Sequence, residues 1–330
     1  MRKLMMIVGC AASFGLGALC NQDAALAAAA EKRVALLVGP AEDKYIGTFT
    51  KTFNSEAAAK GVKVTTFSTP FDPALQAQQV DDAIAQKFDM LVVQTISQKA
   101  IVPALTRAKA AKIPVLLVIA QFPSGENSDL YVSYVGAPSK EIGAMAGEAI
   151  VRALTASGRK KAKVAILAGS MDEGIAPMRV AGFRESLAKH PEFEVAQVED
   201  TMWQPQLAER DAGQLLARFA SIGGLDGVYG MNDSLANGAV QAANSAGVSV
   251  GTGADQLIVV GGNCQGVGVK DIKSGKMAAS ILMLPTQDAS LAVEKVVAFF
   301  DGKDIGKANY TPIEIITKDN IEKYSSQCSY

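Results

Sequence analysis

The sequence predicts an α/β protein with two doubly wound lobes, each built on its own parallel sheet. Short apolar runs rich in Val, Ile and Leu alternate with segments of helical periodicity from residue 33 onward, which is typical of strands covered on both faces. The 330 residues exceed what one ordinary domain holds, so two lobes in series are expected. Helices between consecutive strands imply parallel, right-handed connections.

The first series of elements runs from residue 34 to residue 119. Its strands are short and β-branched, and a glycine at position 61 ends the first helix, as glycine commonly does. The predicted strands are residues 34–38, 62–67, 90–93 and 113–119, and the helices between them are residues 46–60, 76–86 and 101–111.

The alternation then starts again with a long helix and continues to residue 301. This second series predicts a second sheet with its own helices. The predicted helices are residues 141–157, 179–190, 206–221, 266–274 and 288–301, and the predicted strands are residues 164–168, 194–198, 225–229, 257–260 and 278–283.

The stretch 228–239, V-Y-G-M-N-D-S-L-A-N-G-A, has the strongest functional signal in this second series. An apolar strand ends at Gly230, and a helix begins at Asn232 or Asp233. In open parallel sheets, ligands bind just beyond the carboxyl ends of the strands. Asn232 is therefore a candidate ligand-binding residue, although both polar side chains also suit a simple helix cap.

Composition excludes several classes of function. The formal net charge of −1 gives no reason to expect a nucleic acid or an anionic membrane as partner. The single histidine, His190, lies at the end of a predicted helix, where a surface role is expected, so the sequence offers no good candidate for a catalytic histidine base. The glycine-rich segment 261–266 does not read G-x-G-x-x-G, and no phosphate-binding loop or zinc spacing is present. We expect no enzyme activity, no cofactor and no metal.

The first residues read as an export signal rather than as part of the fold. Arg2 and Lys3 precede an apolar stretch, and Ala25-Leu26-Ala27 resembles a cleavage site, so residues 1–27 are predicted to be a signal peptide and the protein to be periplasmic. Lipid attachment at Cys10 is the disfavoured alternative, because almost no apolar stretch precedes it. Two cysteines then remain, at positions 264 and 328, and the sequence leaves open whether they form a disulfide.

Several short motifs, in this order and spacing, resemble those of the periplasmic sugar-binding proteins of the ribose-binding type. They are A-A-K-I-P-V at 110–115, R-V-A-G-F at 179–183, M-N-D at 231–233, V-V-G at 259–261, and G-K-M-A-A at 275–279 with Leu-Pro at 284–285. The resemblance extends from about residue 34 to about residue 312. These proteins are the receptors of ABC importers and have the type I periplasmic binding fold.

The resemblance implies two lobes joined by a three-strand hinge, with a sugar bound in the cleft between them. The crossings fall near Ala137, Met283 and Pro312. The N-terminal lobe is then residues 31–137 plus 284–312, and the C-terminal lobe residues 138–283 plus 313–330. We expect a monomer that closes around its ligand and then meets an ABC permease. A signalling receptor for a sugar-like autoinducer remains an alternative function. A transcription repressor would need a helix-turn-helix before the first strand, and this sequence has the predicted export signal there instead.

The resemblance also assigns candidate ligand-binding residues. Tyr45 and Trp203 fall on aromatic positions and are expected to hold a sugar ring between them. The family's Asp-Arg pair falls on Ile119-Ala120, and a binding arginine falls on Pro177, so ribose itself is not expected to bind. The candidates are Asp43, Tyr45, Gln94, Gln121, Asp172, Trp203, Gln204, Asn232 and Asn263, with Gln265 nearby. Their many neutral amides suit a neutral monosaccharide or sugar alcohol, with a nucleoside as alternative.

Overall fold

The computed structural model describes residues 31–123, 125–328 and 330. The predicted signal peptide and the candidate lipid-attachment cysteine lie outside these described residues. The described chain forms two six-stranded sheets flanked by helices, which confirms the α/β class with two sheets. No helix in this part of the chain combines the length and the apolar character needed to cross a bilayer.

The first sheet has the strand order β11-β5-β4-β3-β1-β2, and all of its neighbouring strands are parallel. Side chains of β1 alternate between two apolar clusters, with Val34 and Leu36 in one and Ala35 and Leu37 in the other. The sheet is therefore covered on both faces. Its elements are β1 (Lys32–Val38), α1 (Lys44–Ala59), β2 (Val62–Ser68), α2 (Pro73–Ala85), β3 (Met90–Val93), α3 (Gln98–Ala110), β4 (Val115–Val118) and β5 (Ser133–Gly136).

The second sheet has the order β12-β10-β9-β8-β6-β7, and only the edge pair β10–β12 is antiparallel. It begins with α4 (Ser139–Ala156), β6 (Ala162–Ala168), α5 (Ile175–Leu187), β7 (Phe193–Asp200), α6 (Pro205–Ala220) and β8 (Gly227–Gly230). It continues with α7 (Asp233–Ser245), β9 (Ile258–Gly262), α8 (Gly266–Lys273) and β10 (Ala279–Leu282). The chain then forms α9 (Pro285–Phe300), β11 (Ala308–Tyr310), β12 (Glu314–Ile316) and α10 (Ile321–Tyr324).

The chain passes between the two sheets three times. Helix α4 follows β5 of the first sheet but packs on β9 and β10 of the second. Helix α9 follows β10 but packs on α1, and the segment 311–313 joins β11 to β12. We call the first sheet with α1–α3 and α9 the first lobe, and the second sheet with α4–α8 and α10 the second lobe.

The structure differs from the sequence prediction in three strands, in the short helix α10 and in several helix starts. β5, β11 and β12 were not predicted, because they have three or four residues and include polar, glycine or exposed positions. β12 enters its sheet directly from the other lobe, without the helical crossover that parallel pairing requires, and it is antiparallel. Helix α5 begins at Ile175 rather than residue 179. Pro177 fits its first turn because the N–H groups there need no intrahelical partner.

Candidate functional site

A cavity of about 50 Å³ lies between the lobes, at the carboxyl ends of the strands. This is where open α/β sheets bind ligands. Each of the first ten strands is followed by at least one lining residue, namely Asp43 and Tyr45, Phe71, Gln94, Ile119, Ala137, Glu173, Trp203, Asn232, Asn263 and Met283. Ile46, Ser139, Ile175, Arg179 and Asp288 complete the lining. Only a small molecule fits without the lobes moving apart.

A chain of hydrogen bonds crosses the cavity from one lobe to the other. The Gly39 amide donates to Gln94 Oε1 at 3.1 Å, which fixes the orientation of that side-chain amide. Gln94 Nε2 then donates across the cleft to Glu173 Oε1 at 2.9 Å. Trp203 Nε1 donates to Glu173 Oε2 at 2.6 Å. Glu173 thus joins the first lobe to the tryptophan of the second.

Burial strongly affects this carboxyl group. Desolvation raises the pKa of Glu173 from its usual 4.5 to about 7, while the hydrogen bonds from Gln94 and Trp203 and the charge of Arg179 oppose the rise. Glu173 is thus poised to change its charge near neutral pH. Both of its neighbours are donors, so the ionised form has the better hydrogen bonds.

Arg179 is the only basic residue among those that line the cavity. Its Nη1 donates to the carbonyl oxygen of Met231 at 2.7 Å, and its Nη2 lies 3.3 Å from the Met283 sulfur. The guanidinium carbon lies 5.7 Å from the centre of the Trp203 ring. Its Nε is buried and has no hydrogen-bond partner among the described residues. Arg179 therefore offers one further donor beside the cavity.

The amides of the second lobe also have unused hydrogen-bonding atoms. Asn232 caps α7 through its Oδ1, which accepts from the Leu235 amide at 2.8 Å, and its Nδ2 has no partner in the described chain. Asn263 is buried, and its Oδ1 has no partner there either. Buried polar groups are normally paired in proteins. The unpaired buried oxygen of Asn263 therefore indicates a polar ligand.

The hydroxyl group of Tyr45 is held by buried partners. Its hydroxyl donates to Asp288 Oδ2 at 2.6 Å, and Thr311 Oγ1 donates to Asp288 Oδ1 at 2.6 Å. Burial raises the pKa of Asp288 to about 6. This group ties α1, the start of α9 and the third crossing together. The second aromatic residue of the first lobe at the cavity is Phe71.

Backbone strain concentrates around this cavity. Six non-glycine residues of the surrounding loops have left-handed backbone angles, with φ between 51° and 78°, and they are Phe71, Ile119, Met202, Trp203, Asn263 and Cys264. Such conformations cost about 1–3 kcal/mol each and persist at functional sites where the surroundings enforce them. The Trp203 ring lies against Gly169, where an added Cβ would be 2.0 Å from the ring. Gly169 therefore leaves the space that the indole occupies.

Comparison with known proteins gives the family. Residues 34–304 match the periplasmic binding protein domain. The chain belongs to this family of periplasmic binding proteins.

Individual relatives agree with this assignment. A ribose import binding protein of Haemophilus influenzae is 26% identical over 293 residues, covering 88% of this chain and 93% of its own length. A xylitol-binding protein of Mycolicibacterium smegmatis is 26% identical over 316 residues, covering 96% and 86%. A galactofuranose-binding protein of known structure has a TM-score of 0.81 at 21% identity, covering 91% of this chain and all of its own, and so shows the same fold.

The structure brings together most of the predicted site residues of this periplasmic binding protein. Asp43, Tyr45, Gln94, Trp203, Asn232 and Asn263 line the cavity. Gln204 and Gln265 line a wider groove of about 470 Å³, which shares Asp43, Phe71, Trp203 and Asn232 with the cavity. We call this groove the mouth.

Two further predicted residues, Asp172 and Gln121, line neither the cavity nor the mouth. Asp172 is exposed, and only its carbonyl group takes part in a contact between the lobes, accepting from the Gln98 amide at 3.0 Å. The carbonyl of Gln121 accepts from the Gln98 side chain. The neighbour of Asp172, Glu173, occupies the position inside the cavity.

Sequence reasoning missed Glu173, Asp288, Phe71 and Ser139, and it did not place Arg179 among the candidate ligand-binding residues. The loop after β6 carries two adjacent acids, and the pattern does not show which one turns inward. Asp288 falls at the predicted start of a helix, where an acidic residue is common as a cap. The periodic pattern gave no signal for Phe71, which lies in a loop.

The structure contains a disulfide between Cys264 and Cys328, with a Cα–Cα distance of 5.1 Å. Both residues are fully buried. The bond joins the loop that carries Asn263 to the segment after α10, and it answers the question that the sequence left open.

Proposed function

We propose that this periplasmic binding protein is the substrate-binding component of an ABC importer, and that it takes up a neutral monosaccharide or a sugar alcohol. The ligand would bind in the cavity between the lobes. The lobes would be residues 31–137 plus 284–312 and residues 138–283 plus 313–330. The chain is a binding protein rather than an enzyme, as its family is.

One observation carries the choice of ligand. The lining residues include one buried donor and one buried acceptor without partners among the described residues, namely Arg179 Nε and Asn263 Oδ1. A hydroxyl group both donates and accepts, so a ligand with several hydroxyls satisfies such a mixture. Each buried group left unpaired costs about 1–3 kcal/mol.

Charge excludes strongly anionic ligands. Arg179 faces three carboxyl groups of the same lining, those of Asp43, Glu173 and Asp288. An anion in this enclosed space would meet more negative than positive charge. Ile119 makes part of the first-lobe wall apolar. A ribose-type clamp by an Asp-Arg pair is missing there, so we expect a sugar other than ribose, or a polyol. The xylitol-binding relative supports the polyol class.

The remaining parts of the proposal concern location and partners. Residues 1–27 direct export to the periplasm, where the protein acts as a monomer and delivers its ligand to a permease in the inner membrane. It needs no nucleic-acid partner, and its net charge of −1 agrees with that.

A ligand screen tests the proposal. Thermal unfolding of the mature protein is measured with D-ribose, xylitol, D-allose, D-fructose, myo-inositol and adenosine, and binding is then quantified by calorimetry. We expect stabilisation by at least one sugar or polyol and a change in Trp203 fluorescence, since Trp203 is the only tryptophan in the sequence. Stabilisation by adenosine alone, or by a strongly anionic compound in an extended screen, would refute the ligand class.

A further inference from the structure

Tyr330 lies beside the cavity and contacts three separate parts of its wall. Its hydroxyl donates to the carbonyl oxygen of Asn263 at 2.6 Å and lies 3.3 Å from the carbonyl oxygen of Met283. Its ring stands edge-on to the ring of Tyr45, with 6.3 Å between the ring centres. One side chain therefore touches the second lobe, the second crossing and the first lobe.

Covalent and backbone contacts fix Tyr330 in this place. Cys328, two residues earlier, is bonded to Cys264, which follows Asn263 directly. The Gly266 amide donates to the carbonyl oxygen of Tyr330 at 3.2 Å. The loop that carries Asn263 is thus pinned to the segment after α10 by the disulfide, by the tyrosine hydroxyl and by a backbone hydrogen bond.

This pinned loop has a conformation that needs support. Asn263 and Cys264 have φ angles of 78° and 57°, in the left-handed region that residues other than glycine rarely adopt. Such angles persist only where the surroundings enforce them. The Asn263 side chain faces the cavity. The position of its unpaired amide oxygen therefore depends on what holds the backbone behind it.

We infer that Tyr330 is a positioning residue of the ligand cavity, fastened there by the Cys264–Cys328 disulfide. The tyrosine holds Asn263 in its left-handed conformation and holds Tyr45 of the opposite lobe against the same wall. Loss of the disulfide releases Tyr330 from both lobes, so the geometry of the cavity depends on the oxidised state of the cysteines.

Hydrogen–deuterium exchange of the ligand-free protein tests this inference without any ligand. The variants are Tyr330→Ala, Tyr330→Phe and Cys328→Ser. Tyr324→Phe is the matched control, because it removes a tyrosine hydroxyl of α10 that donates to Glu314 away from the cavity. We expect residues 257–266 to exchange about tenfold faster in Tyr330→Ala and Cys328→Ser, with a smaller effect in Tyr330→Phe. Unchanged exchange of this segment in Tyr330→Ala would overturn the inference.

Affinity provides a second readout, which rests on the proposed function. With xylitol as probe, or another screened sugar that binds the wild type, Tyr330→Phe should weaken binding about 2- to 12-fold through the lost hydrogen bond. Tyr330→Ala should weaken binding further, through faster dissociation and with little change in the association rate. Unchanged affinity in both variants would overturn the positioning role.

The double variant separates this role from a general loss of stability. If the disulfide acts by holding Tyr330, breaking it should have no further effect once Tyr330 is gone. The affinity of the double variant Cys328→Ser with Tyr330→Ala should therefore equal that of the single variant with the lower affinity. Additive losses would show that the two act separately and would contradict the inference. If Cys328→Ser does not fold, the Tyr330 variants, which keep the disulfide, decide the question. If no probe binds the wild type, the proposed function fails, and the exchange measurement still decides the role of Tyr330.

Discussion

Replacing Glu173 with glutamine changes the pH dependence of stability in a way that the site geometry dictates. The folded protein raises the pKa of this carboxyl from 4.5 to about 7, so the folded state favours the protonated form. Between these two pH values the folded state binds more protons than the unfolded state, and stability falls as the pH rises. The pKa difference corresponds to about 3 kcal/mol.

Glu173→Gln removes this titration but keeps the shape of the side chain. Asp233 and Asp288 also have raised pKa values, of about 7 and about 6, so the informative quantity is the difference between wild type and variant. Measured by urea unfolding, the wild type should lose about 2–3 kcal/mol relative to Glu173→Gln between pH 5 and pH 8. Glu185→Gln on the surface is the matched control for loss of one carboxyl group.

The tryptophan provides a local check on the same group. Trp203 donates to Glu173 Oε2, so its fluorescence should change with a midpoint near pH 7 in the wild type and not in Glu173→Gln. At every pH the variant also places an NH₂ group against one of two donors, which costs about 1–3 kcal/mol. A stability difference that does not vary with pH, together with an emission change that persists in Glu173→Gln, would refute the reasoning.

Three further substitutions test the cavity. Asn232→Ala removes a helix cap and a cavity amide, so the unfolding free energy should fall by about 0.5–2 kcal/mol and calorimetric affinity should fall by about 1–3 kcal/mol; unchanged affinity would place the ligand elsewhere. Gly169→Ala puts a methyl group 2.0 Å from the Trp203 ring and should shift its emission and weaken binding, whereas an unchanged spectrum would contradict the packing. Gln94→Glu places a second carboxyl against Glu173 and should weaken binding more at pH 8 than at pH 5 in titrations at both values.

The periodic pattern predicted most of the fold because buried parallel strands and amphipathic helices have strong signals. β1 to β4 and β6 to β10 were all predicted, with ends within a few residues of those observed. β11 and β12 have three residues each and are partly exposed. These two segments are strands because β11 pairs with β5 and β12 pairs with β10. Both partners lie far away in the sequence, so no local pattern predicts the pairing.

The site was harder to predict than the fold, because a binding site depends on the direction in which each side chain points as well as on the residue type. Asp172 and Glu173 are adjacent acids of similar chemistry, and only the backbone path of the loop decides which one enters the cavity. Tyr45 lines the cavity, and its hydroxyl is bound to Asp288, a residue 243 positions away. Contacts of that kind depend on how α9 returns to pack on α1 within the first lobe, which the sequence of either segment does not reveal.

The three passages between the sheets have a consequence for the order in which the protein is assembled. Strands β6 to β10 are neighbours in one sheet and come from a single stretch of chain, residues 162–282. One face of the first sheet is instead covered jointly by α1, through Phe49 and Phe53, and by Ala289, Ala292, Val293 and Val296 of α9. During synthesis the half made first therefore keeps part of an apolar face uncovered until α9 has been made. Strands β6 to β10 can pair with one another before that point, whereas the first sheet gains its full cover only afterwards.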